Sequence, residues 1–258
     1  MQVRHGLTQV AVLAALLSPA YIVQADELPK AEEILDKFIE VTGGKAAYEK
    51  VHNETWTGTF EFVGKGIKGK ATSYRAEPNL SVTTIDLEGI GTITEGTDGE
   101  TAWTNSAMQG PRIKLGDERA IAMREATFRG PLMWRKLFNK AEMAGEETVD
   151  GQPCYKVILT PAEGKPQTEY YDKKSNLMVK MMMTLASPMG EIPAETTLSD
   201  YKAESGLLYP HTVRQKAMGQ EFLVTIDSVK YNVDMPKDRF DLPAEIKALK
   251  TGPPSKQP

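Results

Sequence analysis

Hydrophobic residues near the beginning of the chain follow a helical period. Ile34, Leu35 and Phe38 recur at spacings that place them on one side of a helix. The Gly-Gly pair that follows Thr42 is a typical end for such a helix, and the segment KAAYEKVH predicts a short second one. We therefore expect two helices within residues 29–51.

The hydrophobic period then changes to two, which is typical of β-strands. In ETWTGTFEFV, Trp56, Phe60 and Phe62 share one face, and threonines and a glutamate share the other. Alternating segments of this kind fill two long blocks of the chain, separated by turns such as KKSN, ESG and MGQ. Between the blocks, two segments predict helices at 117–128 and 131–142.

These elements predict a mainly β protein of the α+β class. The count of about eleven strands is within the range of large antiparallel sheets and barrels, with two helices in the middle of the chain. No repeat or long linker divides the chain, so residues 26–243 are predicted to form a single domain. Residues 244–258, which end in GPPSKQP, are predicted to be a disordered tail.

One glycine-rich segment, GKGIKGKAT at residues 64–72, is similar to a phosphate-binding loop. It matches G-x-G-x-x-G and comes within one residue of a P-loop. Both motifs bind phosphate only where a strand leads into a helix, because the helix N-terminus holds the anion. Here the next segment, ATSYRAE, is rich in strand-forming residues. We therefore predict a hairpin turn that binds no nucleotide.

The first 25 residues have the features of a signal peptide. A basic start at Arg4 precedes an apolar run at residues 10–17, and small residues follow near Ala25. The run is too short to span a membrane, and the alternative is a buried N-terminal helix. We expect cleavage between Ala25 and Asp26, and therefore export to the periplasm.

Composition and candidate chemistry argue against several functions. A net charge of −4 does not favour nucleic acid as a partner. Cys154 is the only cysteine, which excludes an intrachain disulfide, and we predict that it is a buried apolar residue rather than a reactive thiol. His52 and His211 lack metal-ligand spacing, and Ser106 has no base near it in sequence. We expect no enzyme activity, no cofactor and no metal.

The apolar side chains indicate a binding role instead. Methionines are concentrated in LMVKMMMTL, residues 177–185, where flexible thioethers could adapt to a ligand or simply fill a core. An apolar stripe at 133–138 could close a cavity, contact a membrane surface or belong to the core. Alternation on the methionine strand places five apolar residues on one face, which we expect to be the concave one: Leu177, Val179, Met181, Met183 and Leu185.

The order of elements resembles that of the LolA/LolB-like superfamily of periplasmic lipoprotein carriers. YYDKKSNLMVKMMM resembles a strand-turn-strand unit of that superfamily, and the segment from YPHTVRQKAMGQ to DRFDLP resembles its closing strands. The resemblance covers roughly residues 29–243 and implies an incomplete barrel around a helical lid, with an apolar cavity for acyl chains. The residues we expect to line that cavity are Trp56, Phe60, Phe62, Trp103, Met133, Trp134, Leu137, Val179, Met181, Met183, Phe222 and Val224.

The resemblance leaves two functions open. The first is a carrier that holds a lipid or a lipidated protein during outer-membrane or envelope biogenesis, with transient contacts to envelope membrane proteins. The second is a regulatory or assembly module of the envelope that binds a protein partner without transport, since the superfamily also includes domains that sense envelope lipoproteins.

Overall fold

The computed structural model describes residues 27–188 and 190–251. The predicted signal peptide and the last seven residues lie outside this part of the chain. The helices are α1 (Ala31–Val41), α2 (Lys45–Glu49), α3 (Gly116–Ala126), α4 (Gly130–Leu137) and α5 (Ala244–Thr251). The strands are β1 (Asn53–Phe62), β2 (Ile67–Ala76), β3 (Leu80–Leu87), β4 (Gly91–Thr97), β5 (Ala102–Ser106), β6 (Gly110–Ile113), β7 (Phe138–Val149), β8 (Gln152–Pro161), β9 (Gln167–Asp172), β10 (Met178–Ser187), β11 (Gly190–Glu204), β12 (Leu207–Ala217) and β13 (Gln220–Tyr231).

In the described residues the strands form a single curved sheet of 13 strands, all antiparallel to their neighbours. The order is β6-β5-β4-β3-β2-β1-β13-β12-β11-β10-β9-β8-β7, so the first and last strands of the chain pair in the middle. Strands β6 and β7 form the two edges, and the barrel is therefore not closed. This confirms the predicted incomplete barrel, with two more strands than the sequence indicated.

The predicted helical stripe at the beginning of the chain is confirmed. Helix α1 buries Ile34, Leu35 and Ile39 against the sheet. It is capped by Thr42, whose hydroxyl donates to the Phe38 carbonyl at 2.7 Å, and Gly43 continues with a φ of 132°. A Cβ at Gly43 would lie 2.5 Å from the Gly206 carbonyl oxygen, so this position needs glycine for both conformation and space.

The glycine-rich segment is a hairpin, as predicted. Strands β1 and β2 pair along their whole length, from Asn53 opposite Ala76 to Phe62 opposite Ile67. Gly64 and Gly66 lie in the connecting turn, with φ of 74° and 70°. Glycine adopts these angles without steric cost, which explains the motif-like spacing. The segment leads into a strand, so the helix N-terminus of a phosphate-binding loop is missing from it.

Two sequence predictions about boundaries were wrong. Helix α4 ends at Leu137, and the residues predicted to continue it, 138–142, begin strand β7. Their lysine, alanine and glutamate favour a helix locally, but hydrogen bonding to β8 determines the structure. Residues 244–251 are not disordered: they form α5, and Ile246 is completely buried against Trp103.

Helices cover both faces of the sheet, which we call the inner face and the outer face. Helices α1, α3 and α4 pack on the inner face, where α3 buries Ile121 against Met183 and Ala194. The C-terminal segment and α5 pack on the outer face over β2 to β6. Among the described residues, the structure contains no helix with the length and hydrophobicity that crossing a membrane requires.

Candidate functional site

Two adjoining cavities lie between the inner face and the helices. The first, the apolar cavity, has a volume of about 270 Å³ and lies under α1 and α4. The second, the tyrosine cavity, has a volume of about 180 Å³ and lies toward β12 and β13. Both are lined by Phe38, Arg75, Gly130, Pro131 and Met178, so they meet beneath the beginning of α4.

The apolar cavity is walled mainly by hydrocarbon, aromatic rings and thioethers. Helix α4 supplies its roof, and strands β8, β9 and β10 supply its floor. The apolar lining consists of Leu35, Phe38, Pro131, Trp134, Leu137, Phe138, Leu159, Tyr171, Met178 and Met181. Phe38 and Tyr171 meet edge to face at 5.5 Å between ring centroids. This part of the lining favours an apolar ligand, because binding there removes hydrocarbon from water.

Two ion pairs connect α4 and the residue before it to the rest of the protein. On the solvent side, the two terminal nitrogens of the Arg135 guanidinium donate to Asp36 of α1, at 2.9 and 2.7 Å, and the guanidinium stacks on the Trp134 ring at 4.1 Å. At the start of α4, Arg129 pairs with Glu77. Exposed ion pairs of this kind contribute little stability individually.

Sequence reasoning located part of this site. Trp134, Leu137 and Met181 line the apolar cavity. Met183 lies on the inner face but is buried under Ile121 of α3. Met133 lies outside the cavity, in a groove between α1, α2 and α4.

A further group of the predicted residues lies elsewhere on the inner face. Phe60, Phe62 and Phe222 form an aromatic cluster with ring centroids 5.0 to 5.9 Å apart. Trp56 and Val224 belong to the same strands and are also half-buried. None of these five residues lines either of the two cavities.

Two predicted site residues lie on the outer face, and these predictions were wrong. Trp103 is covered by Leu242 and Ile246 of the C-terminal segment. Val179 packs with Val149, Cys154 and Tyr170. Cys154 itself is fully buried, in agreement with the prediction for it.

Val179 lies on the outer face for a local reason. Met178 pairs with Tyr171 and Lys180 pairs with Tyr170, so Val179 is the extra residue of a β-bulge. Alternation is interrupted there, and Met178 replaces Val179 on the inner face. From Met181 onward the predicted alternation holds, and Met181 and Met183 lie on the inner side.

The polar residues of the site were not predicted. Arg75 of β2 lies where the cavities meet, and its guanidinium donates hydrogen bonds to three groups. Its guanidinium donates to Glu54 at 3.1 Å, to the Glu125 carbonyl at 2.8 Å and to the Thr127 carbonyl at 3.3 Å. Burial would lower the pKa of Arg75, but the charge and hydrogen bond of Glu54 raise it above its ordinary value. Arg75 therefore stays charged and ties the end of α3 to the sheet.

A carboxyl group is buried in the floor of the apolar cavity. Glu169 accepts hydrogen bonds from Gln167 at 2.7 Å and from the Tyr171 hydroxyl, and it is 8% exposed. Burial raises the pKa of Glu169 above its ordinary value, and the two hydrogen bonds offset part of that increase. Glu125, which also lines this cavity, has a pKa raised by burial and by the charge of Glu95.

We predict that Glu169→Gln changes how stability depends on pH. The pKa of Glu169 is higher in the folded protein than its value of 4.5 in the unfolded chain. Glu169 therefore contributes stability below pH 4.5, and this contribution is lost as the pH rises through the pKa of the folded state. The variant has no such titration, so its melting temperature relative to wild type should increase from about pH 4 to about pH 8. Thermal melts across that range measure the trend.

The control for this prediction is Glu147→Gln on the outer face. The hydrogen bond from Lys156 lowers the pKa of Glu147, so this group stabilises the protein above its unfolded pKa. Its variant should therefore show the opposite trend with pH. Parallel curves for Glu169→Gln and wild type would show that Glu169 does not titrate differently in the folded protein.

The described residues offer no site for metal chemistry. No group of three or more His, Cys, Asp or Glu side chains converges in the part of the chain that the structure describes. His211 is buried, with Nδ1 2.7 Å from the Ile226 carbonyl, and His52 is exposed beside Glu77.

Comparison with known proteins gives the fold a name. No protein-family model and no curated protein matches the sequence. A solved structure of a LolA superfamily protein from Nitrosomonas europaea does match, with a TM-score of 0.55 and 12% identity, over 83% of this chain and 98% of that one. The fold is that of the LolA superfamily.

Two further structures have the same fold. A DUF1329 family protein from Desulfovibrio piger matches with a TM-score of 0.56 and 13% identity, over 82% of this chain and 97% of that one. An outer-membrane lipoprotein-sorting protein domain from Vibrio parahaemolyticus, described there as putative, matches with a TM-score of 0.53 and 12% identity, over 82% and 97%. These identities are too low to carry residue roles, so the function of the LolA fold in this chain is argued from its own site.

Proposed function

We propose that this protein is a periplasmic carrier that binds the acyl chain of a lipid or a lipidated protein and acts in envelope biogenesis. The observation that carries the proposal is the apolar cavity under α4. It is lined by aromatic rings and by Met178 and Met181, and a helical roof covers it. Such a cavity can bind and shield a hydrocarbon chain from water, which removes apolar surface from solvent.

The size of the cavities supports the binding of a single chain rather than of a bulky ligand. The apolar cavity, at about 270 Å³, and the adjoining tyrosine cavity, at about 180 Å³, are small beside ligand pockets of about 300–1,000 Å³. The roof is tied to α1 partly through the exposed pair of Arg135 with Asp36, which contributes little stability, so it can move to admit a longer chain. The thioethers can change rotamer to follow it. No catalytic step is part of this proposal.

The carrier proposal is tested by purifying the protein from a periplasmic extract and analysing it by mass spectrometry. An organic extract of the purified protein should contain acyl lipids, and a Met181→Asp protein prepared in parallel should lack them. The intact mass of the same preparation should correspond to a chain that begins at Asp26. An extract without lipid would contradict the carrier, and a retained N-terminus would contradict export.

A second candidate is a module that binds a protein partner, and one feature favours it. The groove between α1, α2 and α4 has a volume of about 900 Å³, much more than either cavity, and faces solvent. Its floor includes Ile39, Phe128, Leu132 and Met133, with charged groups around it. A lipid-free protein that still recovers a partner through this groove, and loses it on Leu132→Asp, would favour this function.

A further inference from the structure

The tyrosine cavity differs from the apolar cavity in its chemistry. Its lining includes a tyrosine from each of α2, β11, β12 and β13. The hydroxyl of Tyr48 is bonded to Thr42 at 2.8 Å, and that of Tyr201 donates to the Met178 carbonyl at 2.7 Å. In contrast, the hydroxyls of Tyr209 and Tyr231 have no hydrogen-bond partner within residues 27–188 and 190–251.

These two hydroxyls are available as donors. Neither is among the fully enclosed polar atoms without a partner, so each reaches accessible space. Tyr231 lies opposite Glu54 in the sheet, on the inner face. Burial and the charge of Glu54 raise the pKa of both Tyr209 and Tyr231, so both remain protonated over the whole physiological range.

The charges around the cavity are already paired. Arg75 is bonded to Glu54, which is 6% exposed, and Arg129 is paired with Glu77. A charged ligand group would therefore have no free counter-ion here, and burying it without one is costly. The negative charge of Glu54 near both hydroxyls disfavours an anion in particular. An uncharged hydrogen-bond acceptor meets neither penalty.

We propose that the tyrosine cavity binds the uncharged ester head group of an acyl chain, with Tyr209 and Tyr231 donating hydrogen bonds to ester oxygens. The tail of the same ligand extends past Phe38 and Met178 into the apolar cavity, since both residues line both spaces. A volume of about 180 Å³ accommodates a head group of several heavy atoms, because one water occupies about 30 Å³. The inference rests on the proposed carrier function and adds the class of head group.

The test compares three ligands that share a ten-carbon chain and differ in the head group. Monodecanoyl glycerol, decanoate and decylamine each displace a neutral fluorescent naphthylamine probe from the wild-type protein, and the displacement gives their affinities. We expect the ester to bind about tenfold more tightly than either ion, which corresponds to about 1.4 kcal/mol, the contribution of one or two neutral hydrogen bonds.

Removal of the two hydroxyls should abolish that preference. In Tyr209→Phe/Tyr231→Phe, the ester should bind about as weakly as decanoate, with both affinities calculated from the affinity of the probe for the same variant. The variant keeps both rings and loses no bond within the described protein, so it should fold. Tyr74→Phe is the matched control, because Tyr74 lies on the outer face beneath Arg239 and should leave the preference intact.

The outcomes separate this inference from the carrier function. Equal displacement by all three ligands, or tighter binding of decanoate than of the ester, would contradict the proposed ester head group but not the carrier function. A preference for the ester that persists in the double phenylalanine variant would also contradict the proposed head group. A wild-type protein that binds neither the probe nor any ligand would overturn both.

Discussion

Met181→Asp is expected to weaken binding of a fluorescent fatty-acid probe by at least about 100-fold while the protein still unfolds cooperatively. Met181 lines the apolar cavity, and its sulfur lies 3.6 Å from the Gln167 amide nitrogen. A carboxylate there would face the hydrocarbon of the ligand without a counter-ion, at a cost of several kcal/mol. It would also stand opposite Glu169 across the strands. The empty cavity can hydrate the new charge, so folding should suffer less than binding.

Met182→Asp is the matched control. Met182 is the next residue of the same strand, is 42% exposed on the outer face, and stands opposite Glu195, just as Met181 stands opposite Glu169. The control should bind the probe like wild type. Failure of Met181→Asp to fold would show that this part of the inner face is packed core and not the wall of a cavity. If the variant binds the probe normally, Met181 lies outside the binding site.

The alternation of side chains was sufficient to predict much of the inner face. Met181 and Met183 are on the predicted side because strand β10 is regular from Lys180 onward. The same rule fails for Val179, since a β-bulge there shifts the register by one residue and sequence alternation contains no signal of it. Trp103 was predicted on the wrong face for another reason: helix α5, which packs over it, was predicted to be disordered.

The polar part of the site depends on contacts that are distant in sequence. Arg75 is inward-facing because Glu54 of the neighbouring strand and two carbonyls of the α3 end bind its guanidinium. From the sequence alone, the side chain of an arginine in a strand is expected to be solvated. The tyrosines of the second cavity come from four separate elements, and only the folded sheet brings them together. No local pattern could have identified them.

Arg75→Met is expected to cause the largest loss of stability, about 3–5 kcal/mol in the free energy of unfolding. The substitution leaves the buried Glu54 carboxylate without its cation, and it removes the donor from the Glu125 and Thr127 carbonyls. Denaturant unfolding measures the change. Arg119→Met is the control, because Arg119 is exposed and also donates to a carbonyl, that of Glu100, so its loss should cost about 0.5 kcal/mol or less.

The cause of that loss can be isolated with a second substitution. Replacing both members of a buried ion pair by apolar residues is often close to neutral, whereas removing one member leaves an uncompensated charge. Arg75→Met/Glu54→Leu should therefore recover more than half of the stability lost in Arg75→Met. The double variant still lacks the bonds from Arg75 to the end of α3, so its roof should open more readily and release the fatty-acid probe faster than wild type. A single variant that loses less than about 1 kcal/mol would show that water, rather than Arg75, solvates Glu54.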